Sequence, residues 1–445
     1  MPGRVYIMEA ATIIRGGAVL LKEGLKTGWG VKLQDGLIAQ VGPNESLIPG
    51  ETDTVIEAAD QIILPGFING HNHMYNVFSR GISTDAVVTE FSSFLDDFWW
   101  PYIENRITPE LAEVTTRWAS VEMIDSGVTT FFDILEAPNA IPGALEAEAR
   151  VIREAGLRGV LTFEACQRMS EENAELGLKE NADFIRNHAD DPMVKGAMSI
   201  HTLFTCSKEY VQKARAMAKE LGAKFHMHLS ESVFEPNWTQ EHYGKQPICI
   251  YDELGCLDSD VLASQVVQVN QEEIDLLGRS GASAVTMPLS NCEVGGGIAP
   301  VTELLEAGVK VGIGTDGYIN NFFEVMRGAF LIHKAYRQDP QAMGARQVYQ
   351  MATDMGAEAL GMENTGRIAP GMLADVITVR MNDTPTPINE KNVYDQLILY
   401  RNPADVQNVF VGGKQLKKDG VILTLDVEKA RAEMRQACAE FWKFK

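Results

Sequence analysis

"QIILPGFINGHNH", residues 61–73, is an apolar stretch that ends in two histidines. Its apolar residues form a short run next to Pro and Gly, which is typical of a buried β-strand beside a turn. His71 and His73 are two residues apart, so on a strand both side chains point to the same side. The stretch therefore predicts a buried strand whose last residues present two imidazoles together.

Similar apolar runs recur along the chain, separated by segments with helical periodicity. The runs are "QIILPGFING" (61–70), "TTFFDIL" (129–135), "GVLTFEA" (159–165), "VKGAMSI" (194–200), "AKFHMHL" (223–229), "VLASQVVQV" (261–269), "SAVTMP" (283–288) and "KVGIGTD" (310–316). The helix candidates between them include "PELAEVTTRWASVEMIDSG", "SKEYVQKARAMAKELG" and "APVTELLEAG", and several end in Gly, as helices prefer. Eight strands alternating with helices over about 300 residues predict an α/β fold, a (β/α)₈ barrel.

The two ends of the chain have a different residue pattern from its middle. Short strand-like segments such as "RVYIMEAATII" and "GWGVKLQDGLIAQVGP" come first, and "ADVITVRM" and "VQNVFVGGKQLKKDGVIL" come late, before a final helix "DVEKARAEMRQACAEFWKF". We expect both ends to pair into one small β-sandwich domain. The predicted division is 1–62 for its N-terminal part, 63–375 for the barrel, and 376–445 for its C-terminal part with the final helix.

Composition restricts the partners of this chain. Of 445 residues, 45% are hydrophobic, enough for a sizeable core. Lys and Arg total 39 against 61 Asp and Glu, and the net charge of −22 argues against nucleic acid or an anionic membrane as partner. A secretory signal and a membrane span are not expected from the sequence. The six scattered cysteines form no CxxC pair, and we expect reduced thiols in a cytoplasmic protein with a small-molecule substrate.

Polar residues at the ends of three predicted strands carry the chemistry, because a barrel's reactive groups lie at the carboxyl ends of its strands. In "FHMHLSE", His226 and His228 repeat the spacing of the first pair, and Glu231 follows; "GIGTDG" places Asp316 after strand eight. Three histidines and one carboxylate suit a single Zn²⁺ or Fe²⁺ ion with water in the remaining position. The ion lowers the pKa of that water toward about 7, Asp316 can take its proton, and Glu231 can pass a proton to the leaving group or a substrate nitrogen.

The motifs "PGFINGHNH", "HMHLSE", "GTDG" and "TGRIAPGMLADVITV" resemble the amidohydrolase superfamily, in the group that holds adenosylhomocysteine and guanine deaminases and triazine hydrolases. "HNHMYNVFSRGI" and "FWWP" are similar to an aminohydrolase branch linked to selenium-metabolism genes. The likeness runs over almost the whole chain. It implies one divalent ion per subunit, with Zn²⁺ as first choice and Fe²⁺ as alternative, and a homo-oligomer. The implied metal ligands are His71, His73, His228 and Asp316.

The same resemblance implies roles for further residues. Glu231 matches the proton-shuttling glutamate, His201 in "SIHTLFTCS" and Glu90 in "VVTEFSSFL" match substrate-contacting positions, and Asn291 in "SNCEVGGGIAP" matches the pocket rim. A polar strand exit and a solvated glutamate are the alternatives for His201 and Glu90. His226 either orients a metal ligand or bonds to a neighbouring backbone group. Structural roles are expected for His188, His242 and His333.

One departure from the family pattern concerns the sixth strand. Where relatives read "AAHCVHLTDEE", this chain reads "ASQVVQVNQEE", so that Gln265 and Gln268 replace histidines. Glutamine can donate and accept hydrogen bonds, but it cannot titrate and is a poor Zn²⁺ ligand.

Three hypotheses follow for Gln265. In the first, Gln265 polarises substrate or hydroxide while Asp316 and Glu231 move the protons. In the second, its amide holds the carbonyl of a urea, carbamate or amide substrate. In the third, the protein is a catalytically silent binding protein. The resemblance favours the first, a deaminase-type aminohydrolase that cleaves a C–N bond of an aminated heterocycle. The alternative enzyme is a hydrolase of ureas, carbamates or amides.

Overall fold

Eight parallel strands form the centre of the computed structural model, which describes residues 10–82, 85–382 and 384–443. Residues 4–9 of the predicted first segment and residue 444 of the predicted final helix lie outside these ranges. The barrel strands are β1 (Phe67–Asn72), β2 (Val128–Leu135), β3 (Arg158–Ala165), β4 (Val194–Gly196 and Met198–Ile200), β5 (Phe225–Leu229), β6 (Val261–Gln265), β7 (Ser283–Thr286) and β8 (Lys310–Ile313).

Each barrel strand pairs in parallel with its neighbour in chain order. The first and last strands of the barrel meet just after β8, where an isolated bridge joins Asn72 to Asp316. The backbone amides of Thr315 and Asp316 donate to the His71 carbonyl at 3.0 and 3.1 Å. Gly314 permits this approach, because a Cβ there would lie 2.7 Å from the Cβ of His71. The carboxyl ends of β1 and β8 therefore lie side by side.

The bounds of all eight predicted runs differ from those of the observed strands, and two of the differences have an identifiable local cause. The run at 61–70 is two strands, Gln61–Pro65 and β1, which belong to different sheets and are separated by Gly66. A Cβ on Gly66 would lie 2.0 Å from Thr129 Oγ1, so only glycine fits at the junction between these two strands. The run at 261–269 ends at Gln265, because Gln265 and Val266 have φ of 75° and 50°, outside the strand region.

Helices and short helical turns cover the outside of the barrel. Sequence signals mark their ends: Asn270 caps Gln271–Ser280 with Glu273 in a reciprocal capping box, and the helix ends at Gly281. The longer helices are Pro109–Asp125, Ala144–Ala155, Glu171–Asn187, Lys208–Leu221, Phe234–Tyr243, Gln271–Ser280, Phe322–Arg337, Val393–Tyr400 and Val427–Phe441. The shorter α-helices are Phe91–Ser93, Trp100–Tyr102, Pro247–Glu253, Pro288–Glu293, Val301–Glu306, Ala345–Met351 and Asp354–Leu360, with a π-helix at Phe94–Trp99. In the described ranges no helix combines the length and apolar character needed to cross a bilayer.

Two additional sheets lie beside the barrel, the first built from N-terminal strands and the second from strands of both ends of the chain. One has four strands, in the order Leu37–Pro43, Trp29–Gln34, Thr12–Arg15 and Thr54–Glu57. The other has seven, in the order Val421–Ile422, Lys414–Lys418, Val406–Val411, Val376–Arg380, Gln61–Pro65, Ala18–Leu21 and Gly24–Thr27. N- and C-terminal strands meet in the antiparallel pair of Gln61–Pro65 with Val376–Arg380. The predicted barrel with a β domain from both termini is confirmed, while the division at residues 62 and 375 stays a prediction.

Candidate metal centre and catalytic pocket

Three buried histidines, His71, His73 and His228, form a cluster at the carboxyl ends of β1 and β5, and we call it the histidine cluster. Their ligating nitrogens all lie within 4.8 Å of one another, and the Nε2 atoms of His71 and His73 are 3.0 Å apart. His73 Nδ1 donates to the Ile134 carbonyl at 2.8 Å, which leaves its Nε2 lone pair facing the cluster. The spacing seen in the sequence thus brings these imidazoles together.

The histidine cluster has the electrostatic character that a metal site requires. Burial, followed by the neighbouring imidazoles, holds the pKa of His71 well below its usual value. Burial likewise lowers the pKa of His228 to about 4. Burial disfavours the protonated form of His73, but Glu136 and Asp316 raise the pKa of its imidazole above the usual value, so its surroundings favour positive charge at this point. A divalent cation binds neutral imidazoles and supplies that positive charge itself, so the three residues fit such an ion.

Asp316 lies at the edge of this cluster, with Oδ1 3.4 Å from His73 Nε2. Its backbone has φ of 56°, a conformation that turns the chain sharply after β8. The Gly317 amide donates to Oδ1 at 2.7 Å, and the Gln265 side-chain amide donates to Oδ2 at 2.8 Å. Both carboxylate oxygens are therefore held in place while one of them faces the histidines.

Gln265, the departure from the family pattern, is the middle member of a hydrogen-bond chain. The Asn291 amide donates to Gln265 Oε1, and Gln265 Nε2 donates to Asp316. Gln265 and Asn291 are both buried, and Asn291 lies behind Gln265. Gln268, in contrast, donates to the Gly296 carbonyl at 2.6 Å. The amide of Gln265 is thus used to orient Asp316.

The remaining predicted site residues lie around one cavity. Glu231 is half-buried there, and burial, then Asp316 and Glu136, raises its pKa well above the usual value. His201 is buried with Nδ1 2.9 Å from Thr205 Oγ1. Glu90 is exposed at the mouth, where Ser92 donates to it.

His226 was expected either to orient a metal ligand or to bond to a neighbouring backbone group, and its two ring nitrogens instead lie next to serine hydroxyls. Its Nδ1 is 2.8 Å from the Ser199 hydroxyl and its Nε2 is 3.1 Å from the Ser264 hydroxyl, so side chains satisfy it. Its ring also lies 5.4 Å from that of His71. His226 therefore packs beneath the histidine cluster with both of its nitrogens already paired.

A second group of ionisable side chains was missed by the sequence interpretation. We call Glu104, Glu136 and Glu164 the carboxylate cluster; all three are buried beside the histidines. Glu164 Oε2 is 2.9 Å from His228 Nδ1, and Glu104 pairs with Arg168 at 2.6 Å. The signal was visible in part, because Glu136 follows the apolar run of β2 and Glu164 lies near the end of β3, as the histidines do on other strands.

The cavity over these groups has a volume of about 940 Å³. Aromatic side chains from the segment after β1 form one wall, and the rings of Phe94 and Trp99 stack at 5.1 Å. Carboxylates and histidines form the floor. A barrel of this topology, with three histidines and an aspartate at the strand ends on the floor of a cavity, is the architecture of a metal-dependent hydrolase.

Comparison with known proteins agrees with this class. The family model described as "Amidohydrolase family" matches residues 62–416. The chain is 35% identical over 423 residues to a 5'-deoxyadenosine deaminase of Methanosarcina barkeri, covering 94% of each protein. It is 31% identical over 409 residues to a 5-methylthioadenosine/S-adenosylhomocysteine deaminase of Carboxydothermus hydrogenoformans, covering 91% of this chain and 92% of the relative.

Solved structures share the fold. An adenosine deaminase from Xanthomonas campestris with bound zinc superposes with a TM-score of 0.89 at 24% identity, covering 98% of this chain and 99% of that one. Atrazine chlorohydrolase from Arthrobacter aurescens, complexed with zinc, has a TM-score of 0.83 at 21% identity, with 96% and 100% covered. The chain belongs to the amidohydrolase family. It is a hydrolase that acts on carbon–nitrogen bonds other than peptide bonds.

Proposed function

We propose that this protein is a hydrolytic deaminase of an aminated heterocycle, with one Zn²⁺ ion per subunit and Fe²⁺ as the alternative. The observation that carries the proposal is the convergence of the histidine cluster with Asp316 at the floor of a cavity that also holds Glu231. The names of the relatives, deaminases of 5'-deoxyadenosine and of 5-methylthioadenosine or S-adenosylhomocysteine, support the same reaction.

The assigned metal ligands are His71, His73, His228 and Asp316. A divalent ion held there would supply an activated water at neutral pH. His73 is oriented for this task by the Ile134 carbonyl. Asp316 is oriented by the amides of Gln265 and Gly317.

Proton movement is assigned to two carboxyl groups. Asp316 faces the histidine cluster and accepts a proton from the attacking water. Glu231 has a raised pKa because of burial and its acidic neighbours, so it retains a proton that it can give to a ring nitrogen or to the leaving amine. In the reaction a C–O bond forms from water, the C–N bond breaks, and ammonia leaves with hydrogen from the water. One water is consumed, and nothing is oxidised or reduced.

The hydrogen bonds of Gln265 favour one of the hypotheses for this residue. A urea or carbamate hydrolase would use its amide to hold the substrate carbonyl, whereas one of its two N–H groups is donated to Asp316 and its oxygen accepts from Asn291. The hydrogen bonds therefore support a role in positioning Asp316. His201 and Glu90 are assigned to the pocket, and Asn291, which lies behind Gln265 and is not part of the cavity lining, acts through Gln265.

A substrate screen tests the proposal. Zinc-loaded protein is assayed for ammonia release from 5'-deoxyadenosine, 5-methylthioadenosine, aminated pterins, pyrimidines and triazines, with phenylureas alongside. Ammonia release that chelation abolishes and Zn²⁺ restores is the expected result. Aniline release from a phenylurea, with ammonia absent from every heterocycle, would replace the proposal with the urea hydrolase.

Three further properties are proposed, the first of them from the family resemblance. The protein is expected to be a homo-oligomer, which sedimentation velocity of the purified chain would test. A cytoplasmic location is consistent with the six unpaired cysteines. Its partner is a small molecule and not nucleic acid, given the net charge of −22.

A further inference from the structure

Two asparagines and a threonine next to the assigned metal ligands have no role in the chemistry described above. Asn69 and Asn72 lie in "PGFINGHNH", the motif of the first two histidines, and Thr315 lies in "GTDG", immediately before Asp316. All three side chains are buried, so they form their hydrogen bonds within the protein. We call Asn69, Asn72 and Thr315 the Asn–Thr network.

The network lies where the barrel has the least backbone pairing between neighbouring strands. β1 and β8 are the two ends of the strand order, and an isolated bridge joins Asn72 to Asp316 there. Other neighbours pair over a longer ladder, as β5 and β6 do along the whole of Phe225–Leu229. Ligands from β1 and from the end of β8 nevertheless have to meet at one ion. Their relative position therefore depends in part on side-chain contacts.

The hydrogen bonds of the Asn–Thr network have one consistent direction. The Thr315 backbone amide can only donate, and Asn69 Oδ1 accepts from it at 3.1 Å, which fixes the orientation of the Asn69 side-chain amide. Asn69 Nδ2 then donates to Thr315 Oγ1 at 2.8 Å. The Thr315 hydroxyl in turn donates to Asn72 Oδ1 at 3.1 Å. Each of these bonds connects a residue of β1 to the residue that precedes Asp316.

The backbone of Asp316 gives these bonds their importance. Its φ of 56° is a left-handed conformation, which a residue with a Cβ adopts at a cost, so the surrounding structure has to hold it. Asp316 Oδ1 lies 3.4 Å from His73 Nε2 in this conformation. One peptide unit separates Asp316 from Thr315, so a shift of Thr315 would move the carboxylate relative to the histidines.

We propose that the members of the Asn–Thr network are positioning residues for the metal centre. Their hydrogen bonds hold Asp316 where one divalent ion can contact both its carboxylate and the histidine cluster. This inference rests on the proposed function, in which Asp316 is a metal ligand. The network acts through Asp316, and its loss weakens metal binding before it affects any later step.

Two substitutions of one residue test the inference without turnover. Thr315→Val keeps the size of the side chain but removes the hydroxyl, so that Asn69 Nδ2 and Asn72 Oδ1 lose this buried partner. Thr315→Ser keeps the hydroxyl. The dissociation constant for Zn²⁺ is measured by competition with a chromogenic chelator. Thr315→Val is expected to weaken Zn²⁺ binding by about 10- to 100-fold, and Thr315→Ser by less than about threefold.

Thr378→Val is the matched control, because it removes the same kind of hydrogen bond outside the barrel. Thr378 is buried in the seven-stranded sheet, and Asn408 Nδ2 donates to its hydroxyl at 2.8 Å, as Asn69 does to Thr315. Both valine variants are expected to lower the unfolding temperature of the metal-free protein. Thr378→Val should keep the Zn²⁺ affinity of the wild type.

The outcomes separate this inference from the proposed function. Wild-type Zn²⁺ affinity in a folded Thr315→Val protein overturns the inference even if ammonia is released from 5'-deoxyadenosine, and so does an equal loss of affinity in Thr315→Ser or in Thr378→Val. A loss confined to Thr315→Val, in a protein that releases ammonia from no compound of the screen, supports the positioning role and overturns the deaminase.

A milder substitution keeps the inference testable if Thr315→Val fails to fold, as judged by circular dichroism. Asn72→Ala removes only the last hydrogen bond of the network and is expected to weaken Zn²⁺ binding by about 3- to 10-fold. Unchanged Zn²⁺ affinity in a folded Asn72→Ala protein would then overturn the inference.

Discussion

The histidine cluster and the carboxylate cluster are buried side by side at the floor of one cavity, and they differ in how they can be recognised. His71, His73 and His228 lie in short motifs that resemble the amidohydrolase superfamily. Glu136 and Glu164 are single acids at or near the ends of apolar strands, and only their neighbours in the fold make them significant. The comparison shows that groups which share a short motif can be recognised from the sequence, whereas acids that converge from separate elements are recognised only in the structure.

The largest effect is expected from the histidine cluster itself. His73→Ala removes an imidazole that lies 3.0 Å from His71 and is oriented by Ile134, so metal content and activity should both fall to background. Elemental analysis and an ammonia assay measure these. His242→Ala, on an exposed helical residue, is the matched control that keeps both. Full metal content in His73→Ala would show that His73 is not a metal ligand.

Glu231→Gln is expected to retain the metal and to lower kcat by about 10²- to 10⁴-fold, because a general acid is lost. The raised pKa of Glu231 predicts a pH dependence. Activity should fall as pH rises through that raised pKa, since the protonated form is the donor, and this alkaline limb should be absent from the residual activity of the variant. A pH–rate profile from pH 5 to pH 10 measures it. If the alkaline limb of the pH–rate profile is unchanged in Glu231→Gln, a group other than Glu231 is the proton donor.

Gln265→Ala is expected to lower kcat by about 10- to 100-fold, because Asp316 loses its amide partner. Asn291→Ala, which removes only the group behind Gln265, should have a smaller effect in the same direction. Kinetics and metal affinity measured side by side separate a positioning role from a structural one. If Gln265→His and Gln265→Ala both keep wild-type kcat, the side chain at position 265 takes no part in the reaction.

Much of the fold followed from local patterns. Apolar runs of strand length alternating with helical segments predicted the barrel, and the helix Lys208–Leu221 ends at Gly222, where glycine in the sequence indicated it. Strand bounds were less accurate, and two of the differences have an identifiable cause. The bend at Gly66 depends on Thr129, and the end of β6 depends on left-handed backbone at Gln265, and neither is visible from periodicity.

The sequence by itself determined which residues converge within one strand, because side chains two residues apart on a strand share a side. It thereby indicated His71 with His73, and His228 close to Glu231. Only the tertiary structure decided that Gln265 orients Asp316, 51 residues later in the chain, and that Glu136 lies 3.8 Å from His228. These contacts arise when the barrel closes and brings distant strand ends to one rim, and no local pattern records which polar groups then become neighbours.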